Sequence, residues 1–131
     1  MTSHIDRDRS LEQLERDRWP DPPGDATRLV ATAHALRRKP LGELTVADMR
    51  LLIGQNVGLA HLLPLAFEVL RADPMAEGDL YAGDLLAAVL SRGGEVWSAV
   101  PELGRELRLI VSEPSGLPLD LKRAAERFLA R

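Results

Sequence analysis

The 131-residue chain contains no cysteine, which excludes disulfides, thiolate metal sites and a cysteine nucleophile. A chain without thiols suits a reducing compartment, and the cytoplasm is the expected location. The opening MTSHIDRDRS has no apolar core, so a secretory signal is not expected there. The chain also lacks a long apolar run. Leu51 to Phe67 carries no formal charge, but Gln55, Asn56, His61 and Pro64 interrupt it, and each polar group would need a partner in lipid. A membrane span is therefore not expected.

No segment alternates with a period of two, so no sheet is predicted. A P-loop, a dinucleotide fingerprint and GxSxG are all absent, and IGQNVG is not GxGxxG. His4, His34 and His61 form no ligand-spaced pair, and AEGDLYAGD lacks the regular oxygen positions of a calcium loop. We expect no metal and no other cofactor. The carboxylates of that segment have no accompanying base, nucleophile or oxyanion donor, so no catalytic residue is assigned.

What is present is helical periodicity. Ser10 and Gln13 form a capping-box pattern for a short first helix that ends before Trp19-Pro20. The run WPDPPGD is a rigid loop that Trp19 pins to the body. Leu29, Val30, Ala33 and Leu36 recur at three- and four-residue steps, predicting a helix from Thr27 to Arg38. The cationic run Arg37, Arg38, Lys39 suits that helix's C-terminal end, and Pro40 stops it. Thr45 and Asp48 start the next helix, with Val46, Met49, Leu52, Ile53 and Val57 as its buried stripe, and Gly58 ends it in a left-handed turn. A strongly apolar helix follows from Leu59 to Ala72, kinked at Pro64 or beginning only near His61. Asp84 caps the next helix, and shorter pieces cover 96–100, 101–111 and 118–129.

These elements predict an all-α fold, a compact orthogonal bundle of about six or seven short helices, with residues 1–9 as a flexible N-terminus and 10–131 as one domain. Size and composition agree with a single folded core. Gln55 is expected to bond to loop backbone and fix helix packing, His61 to be a core histidine with a backbone partner, and His34 to be a surface or capping residue. Asn56 is the amide that could face a partner.

The net charge of −3 is unevenly placed. Residues 59–91 carry Glu68, Asp73, Glu77, Asp79 and Asp84 against Arg71 alone, a net −4, whereas the rest of the chain nearly cancels. The third and fourth helices could form a helix-turn-helix, but they offer only Arg50 and Arg71, too few cations to track phosphates. Direct nucleic-acid binding is not expected. A solvated acidic face would explain the charge equally well.

Three separated blocks occur in a telling order: SLEQLERDRW, then ALRRKPLGELTVADMRLLIGQNVGLAHLLPLAFEVL, then DPMAEGDLYAGDLLAAVL. Their succession over Ser10 to Ser91 resembles one family of contact-dependent growth inhibition (CDI) immunity proteins. That family's acidic-glycine turn with a tyrosine is matched by Glu77, Gly78, Asp79, Tyr81, Gly83 and Asp84. Ala82 stands where a proline is common, Trp97 matches a late aromatic, and the tail from about Gly94 matches poorly. The resemblance implies a non-enzymatic cytoplasmic protein that binds and neutralises the C-terminal toxin domain of a CDI system, and such toxins are often nucleases. On that reading Glu68, Asp73, Glu77, Asp79, Tyr81 and Asp84 are the candidate toxin-binding residues, while Gln55, Gly58, Pro64, Gly78 and Gly83 are structural. The competing reading is a helical adaptor or regulator with another protein partner, which the same helical pattern would serve.

Overall fold

Each of the first three helices starts on a side chain that answers its orphan amides. Ser10 Oγ accepts from the Gln13 amide at 3.3 Å while Gln13 Oε1 accepts from the Ser10 amide at 2.9 Å, which completes the predicted capping box of α1 (Leu11–Glu15). Thr27 caps α2 (Arg28–Leu36) by accepting from the Val30 amide at 3.2 Å. Thr45 and Asp48 form a second capping box at the start of α3 (Val46–Gly54). The computed structural model describes residues 5–114 and 116–130. His4 lies outside them. Among the described residues there are five further helices, α4 (Leu59–Ala72), α5 (Asp84–Leu90), α6 (Gly94–Ala99), α7 (Pro101–Ser112) and α8 (Leu119–Leu129), one short 3-10 turn (Leu41–Glu43), and no strand. The all-helical expectation holds, with eight helices in place of six or seven; α6 and α7 meet at Val100, which caps both.

α4 is the central element. Leu62, Leu63, Ala66, Phe67 and Leu70 are fully buried, and the helix packs on α3, α5 and α7. Covering so much of one helix explains why the 51–67 run carries no charge: its apolar surface has neighbours on several sides. α4 runs through Pro64 as one span beginning at Leu59, not near His61. The missing proline N–H leaves the Ala60 carbonyl without its helical donor, and Ala60 is exposed, so water can serve it.

The α3–α4 junction differs from expectation in an informative way. α3 stops at Gly54, Gln55 is exposed, and Asn56 takes the left-handed conformation with φ 58°. Gln55 therefore does not fill a buried, packing role. Asn56 is held instead: its Oδ1 accepts from Arg92 Nη1 at 2.7 Å, and Arg92 Nε donates to the Ala88 carbonyl at 3.0 Å, joining this turn to the end of α5. Burial lowers the Arg92 pKa from its ordinary value. Gly58, with φ 63°, opens α4 and does not close α3. A Cβ there would stand 2.6 Å from Cδ2 of the fully buried Leu11. Gly58→Ala should cost about 2–3 kcal/mol from left-handed strain plus overpacking, readable as a lower urea midpoint at unchanged m-value.

α2 ends at Leu36 and buries only part of its predicted stripe. Ala33 and Leu36 are covered, whereas Leu29 and Val30 are more than two-fifths exposed. Trp19 does pin the proline-rich loop. Its ring lies under the Arg37 guanidinium at 4.2 Å and edge-on to His34 at 5.0 Å, and His34 Nδ1 sits 3.0 Å from the Pro20 carbonyl. Arg37 stands at the C-terminal end of α2 as expected, and it is 2% exposed. Its neighbours Arg38 and Lys39 stay near the surface and pair with Asp21 and Asp48.

Ahead of α1, the chain runs against the 3-10 turn. The Leu41 and Gly42 amides donate to the Arg9 and Arg7 carbonyls, each at 2.9 Å, and Ser10 and Pro40 form an isolated bridge.

Candidate functional site: the acidic turn and its anchor

Between α4 and α5 the chain makes a tight excursion from Asp73 to Gly83, and one buried carboxylate organises it. Asp84 is 2% exposed. Its Oδ1 accepts from the Gly78 amide at 2.6 Å and its Oδ2 from the Leu80 amide at 3.0 Å. Sequence pattern made Asp84 the cap of α5. In the structure Gly83 takes the N-cap position, and Asp84 is the first helical residue, reaching back to bind the preceding turn. Its negative charge also sits at the positive end of α5.

Two glycines permit this geometry. Gly83 has φ 89°, donates its amide to the Met75 carbonyl at 3.0 Å, and would drive a Cβ to 2.6 Å from Leu121 of α8. Gly78 lies so close to α3 that a Cβ would stand 3.0 Å from Ala47 Cα. Asp73, the residue after α4, accepts from the Met75 amide at 3.0 Å and closes the other side of the excursion.

Arg50 of α3 sits beneath the turn. Its Nε donates to Asp79 Oδ1 at 2.8 Å and lies 3.8 Å from Asp84 Oδ2. The Arg50 hydrogen bond holds the Asp79 carboxyl below its usual pKa, so Asp79 is charged throughout the neutral range. Local structure thus converts a glycine-rich acidic sequence into a fixed shape. What it displays is Asp73, Glu77, Asp79, Leu80 and Tyr81, all exposed, with Leu80 at 61% and Tyr81 at 47%.

The sequence-predicted residues therefore separate into three groups. Asp73, Glu77, Asp79 and Tyr81 share the exposed turn, and Asp84 is its buried anchor. Glu68 lies elsewhere, midway along α4, where it pairs with Arg7. Leu80, Arg50 and Asp84's backbone-binding role escaped sequence reasoning. The available signal for Leu80 was a large apolar residue between Asp79 and Tyr81 in a segment too polar to be core.

Glu68 belongs to a hollow of about 580 Å³ between the N-terminal segment, α4 and α7. His61 lines this hollow half-buried, so it is not a core residue. Trp97 is buried and meets Phe128 edge-on at 5.4 Å, fastening α6 to α8. Among the described residues no cluster of three or more His, Asp or Glu could hold a metal ion, and no helix is long and apolar enough to cross a membrane.

The fixed acidic-glycine turn, its tyrosine and the apolar α3–α4 pair are the features on which a family comparison can be read. No curated protein matches the chain. A family model described as CDI immunity proteins matches residues 13–107, which include α2 to α6, most of α7 and the whole turn, and the chain belongs to that family.

Proposed function

We propose that this chain is a non-catalytic immunity protein that binds the C-terminal toxin domain of a CDI system one to one and neutralises it in the cytoplasm. Family membership supports the toxin as partner. The observation that carries the contact site is the turn held by Asp84, which presents two free-standing side chains of high interface value, Tyr81 and Leu80, among the charges of Asp73, Glu77 and Asp79. A turn ordered before binding loses little entropy on docking. Tyrosine is enriched among residues that dominate binding energy, and surrounding acids steer a basic partner to it. A nuclease toxin has such a basic surface, and the turn would occupy it in place of phosphate.

The test is co-expression with a cognate CDI toxin domain, scored by survival and by co-purification. Survival without co-purification would argue against direct neutralisation. The turn is tested by Glu77→Lys and Tyr81→Ala. Glu77 makes no ion pair among the described residues, so its reversal leaves the Arg50–Asp79–Asp84 contacts alone. Glu77→Lys should slow association several-fold at low salt with less effect at high salt, and Tyr81→Ala should raise the dissociation rate about tenfold or more. Stopped-flow rates equal to wild type for both variants would remove the turn from the interface.

A further inference from the structure

Among the described residues the main helix packings join α2 through α8 into one body and leave α1 out. Residues 5–21, which contain α1, lie across that body with little of themselves inside it, since only Ser10 and Leu11 are buried. Leu11 is their one fully buried apolar side chain, seated beside Gly58 at the start of α4. Most other ties are polar. The Glu12 amide donates to the Arg37 carbonyl at 3.0 Å, and the Leu41 and Gly42 amides donate to the Arg9 and Arg7 carbonyls. The Arg37 guanidinium donates to Glu15 and to the Asp17 carbonyl, and Arg38 pairs with Asp21. The Arg38–Asp21 and Arg7–Glu68 pairs face solvent, where an ion pair contributes little.

One buried leucine offsets only part of the entropy lost in ordering so long a segment, which places residues 5–21 at the low end of local stability. The ties stand on both sides of Leu11, at Arg7 and Arg9 before it and from Glu12 to Asp21 after it. The three backbone bonds converge on residues 37–42, the stretch from the end of α2 into the 3-10 turn. Lifting Leu11 therefore loosens both sets together. The segment also walls the hollow beside Glu68, where Ile5, Asp6 and Leu14 line it together with His61, Pro64 and Leu103. His61, Pro64 and Glu68 follow steps of three and four residues and share one face of α4.

We infer that residues 5–21 form a strap that opens and closes as one unit on a body that stays folded, and that its opening bares the Pro64 face of α4. The hollow is then the closed form of a face whose exposure the strap controls.

Amide hydrogen exchange of the whole chain, followed by NMR at low urea concentrations, tests this. The reporters are the Glu12, Leu41 and Gly42 amides, because Leu41 and Gly42 belong to the body while their acceptors lie on the strap. All three should give one opening equilibrium with one weak urea dependence, and should exchange at least about 100-fold faster than the Leu63 and Phe67 amides in the middle of α4. Val89→Ala supplies the second arm. Val89 is fully buried in α5, which packs on α3, α4 and α8 and not on the strap. The substitution should speed exchange at Leu63 and Phe67 about tenfold or more by weakening the body, and leave the three strap reporters within about twofold of wild type. Two results would overturn the inference. Staggered reporters, with Gly42 fastest and Glu12 slowest, would mean fraying from the end of the segment. Strap reporters that match Leu63 and Phe67 and accelerate with them in Val89→Ala would mean that the segment leaves only when the whole chain unfolds.

Discussion

Asp84→Ala should lower the thermal midpoint by roughly 10 °C, a loss of about 3 kcal/mol at about 4 °C per kcal/mol for a chain of this size. The reason is the accounting of its two acceptors. The carboxylate answers the Gly78 amide at 2.6 Å and the Leu80 amide at 3.0 Å, and hydrogen bonds to an ionised acceptor are stronger than neutral ones. Alanine leaves both amides without a partner and removes the negative charge beside Arg50. Asp84→Asn is the sharper variant. Its amide oxygen can still accept one of the two bonds, but its NH2 group must then face the other amide, donor against donor. We therefore expect Asn to cost about 2 kcal/mol despite its matching shape. The same variants should speed toxin dissociation, because Leu80 and Tyr81 would have to be ordered at the moment of binding. A midpoint shift below about 2 °C for Asp84→Ala would mean that the turn does not depend on its anchor.

Arg37→Ala should cost about 3 kcal/mol, whereas Arg37→Met should cost about 1 kcal/mol or less. Arg37 is almost wholly buried, yet its partners are not. Nη1 donates to the Asp17 carbonyl at 2.8 Å and Nη2 to Glu15 Oε1 at 2.7 Å, and both acceptors belong to exposed residues that water can satisfy in its absence. The guanidinium Nε is buried with no partner. Polar interactions alone therefore give this residue a modest net value. Its larger contribution is volume, since the side chain fills the space between α1, α2 and the Trp19 ring. Alanine would leave a cavity and release Trp19, while methionine refills most of it and packs well against an aromatic ring. Urea unfolding of the two variants decides the matter, and equal losses for Ala and Met would show that the hydrogen bonds, not the packing, hold the loop.

Much of the helix plan was legible because its signals are local. Ser10, Thr27 and Thr45 cap helices through residues three positions away, so spacing alone reveals them. The buried face of α4 was legible because its apolar residues outnumber what one face requires. Asp84 was misread because two uses share one local pattern. An Asp at a helix start can cap that helix or turn back to the preceding loop, and the left-handed Gly83 selects the second. The left-handed backbone at Gly58 was read from the glycine, but a second left-handed residue at Asn56 was not, and it is this that ends α3 at Gly54 and leaves Gln55 exposed. Leu29 and Val30 show the limit of periodicity, which identifies a helical face but not which of its residues find a neighbour. The hollow beside Glu68 was the least legible feature. Its walls come from residues 5–14, 41, 60–71 and 100–106, and only the tertiary fold makes one surface of them.

The hydrogen bonds that tie Arg7 and Arg9 to the 3-10 turn bear on how the protein is handled at the bench. They set Ile5 and Asp6 on the lip of the hollow beside Glu68. A polyhistidine or bulky fusion partner joined shortly ahead of Ile5 would crowd that lip. α8 lines no part of the hollow. Pull-downs and surface immobilisation should therefore be carried out through a C-terminal tag, and a weak interaction seen only with N-terminal fusions would be a property of the fusion.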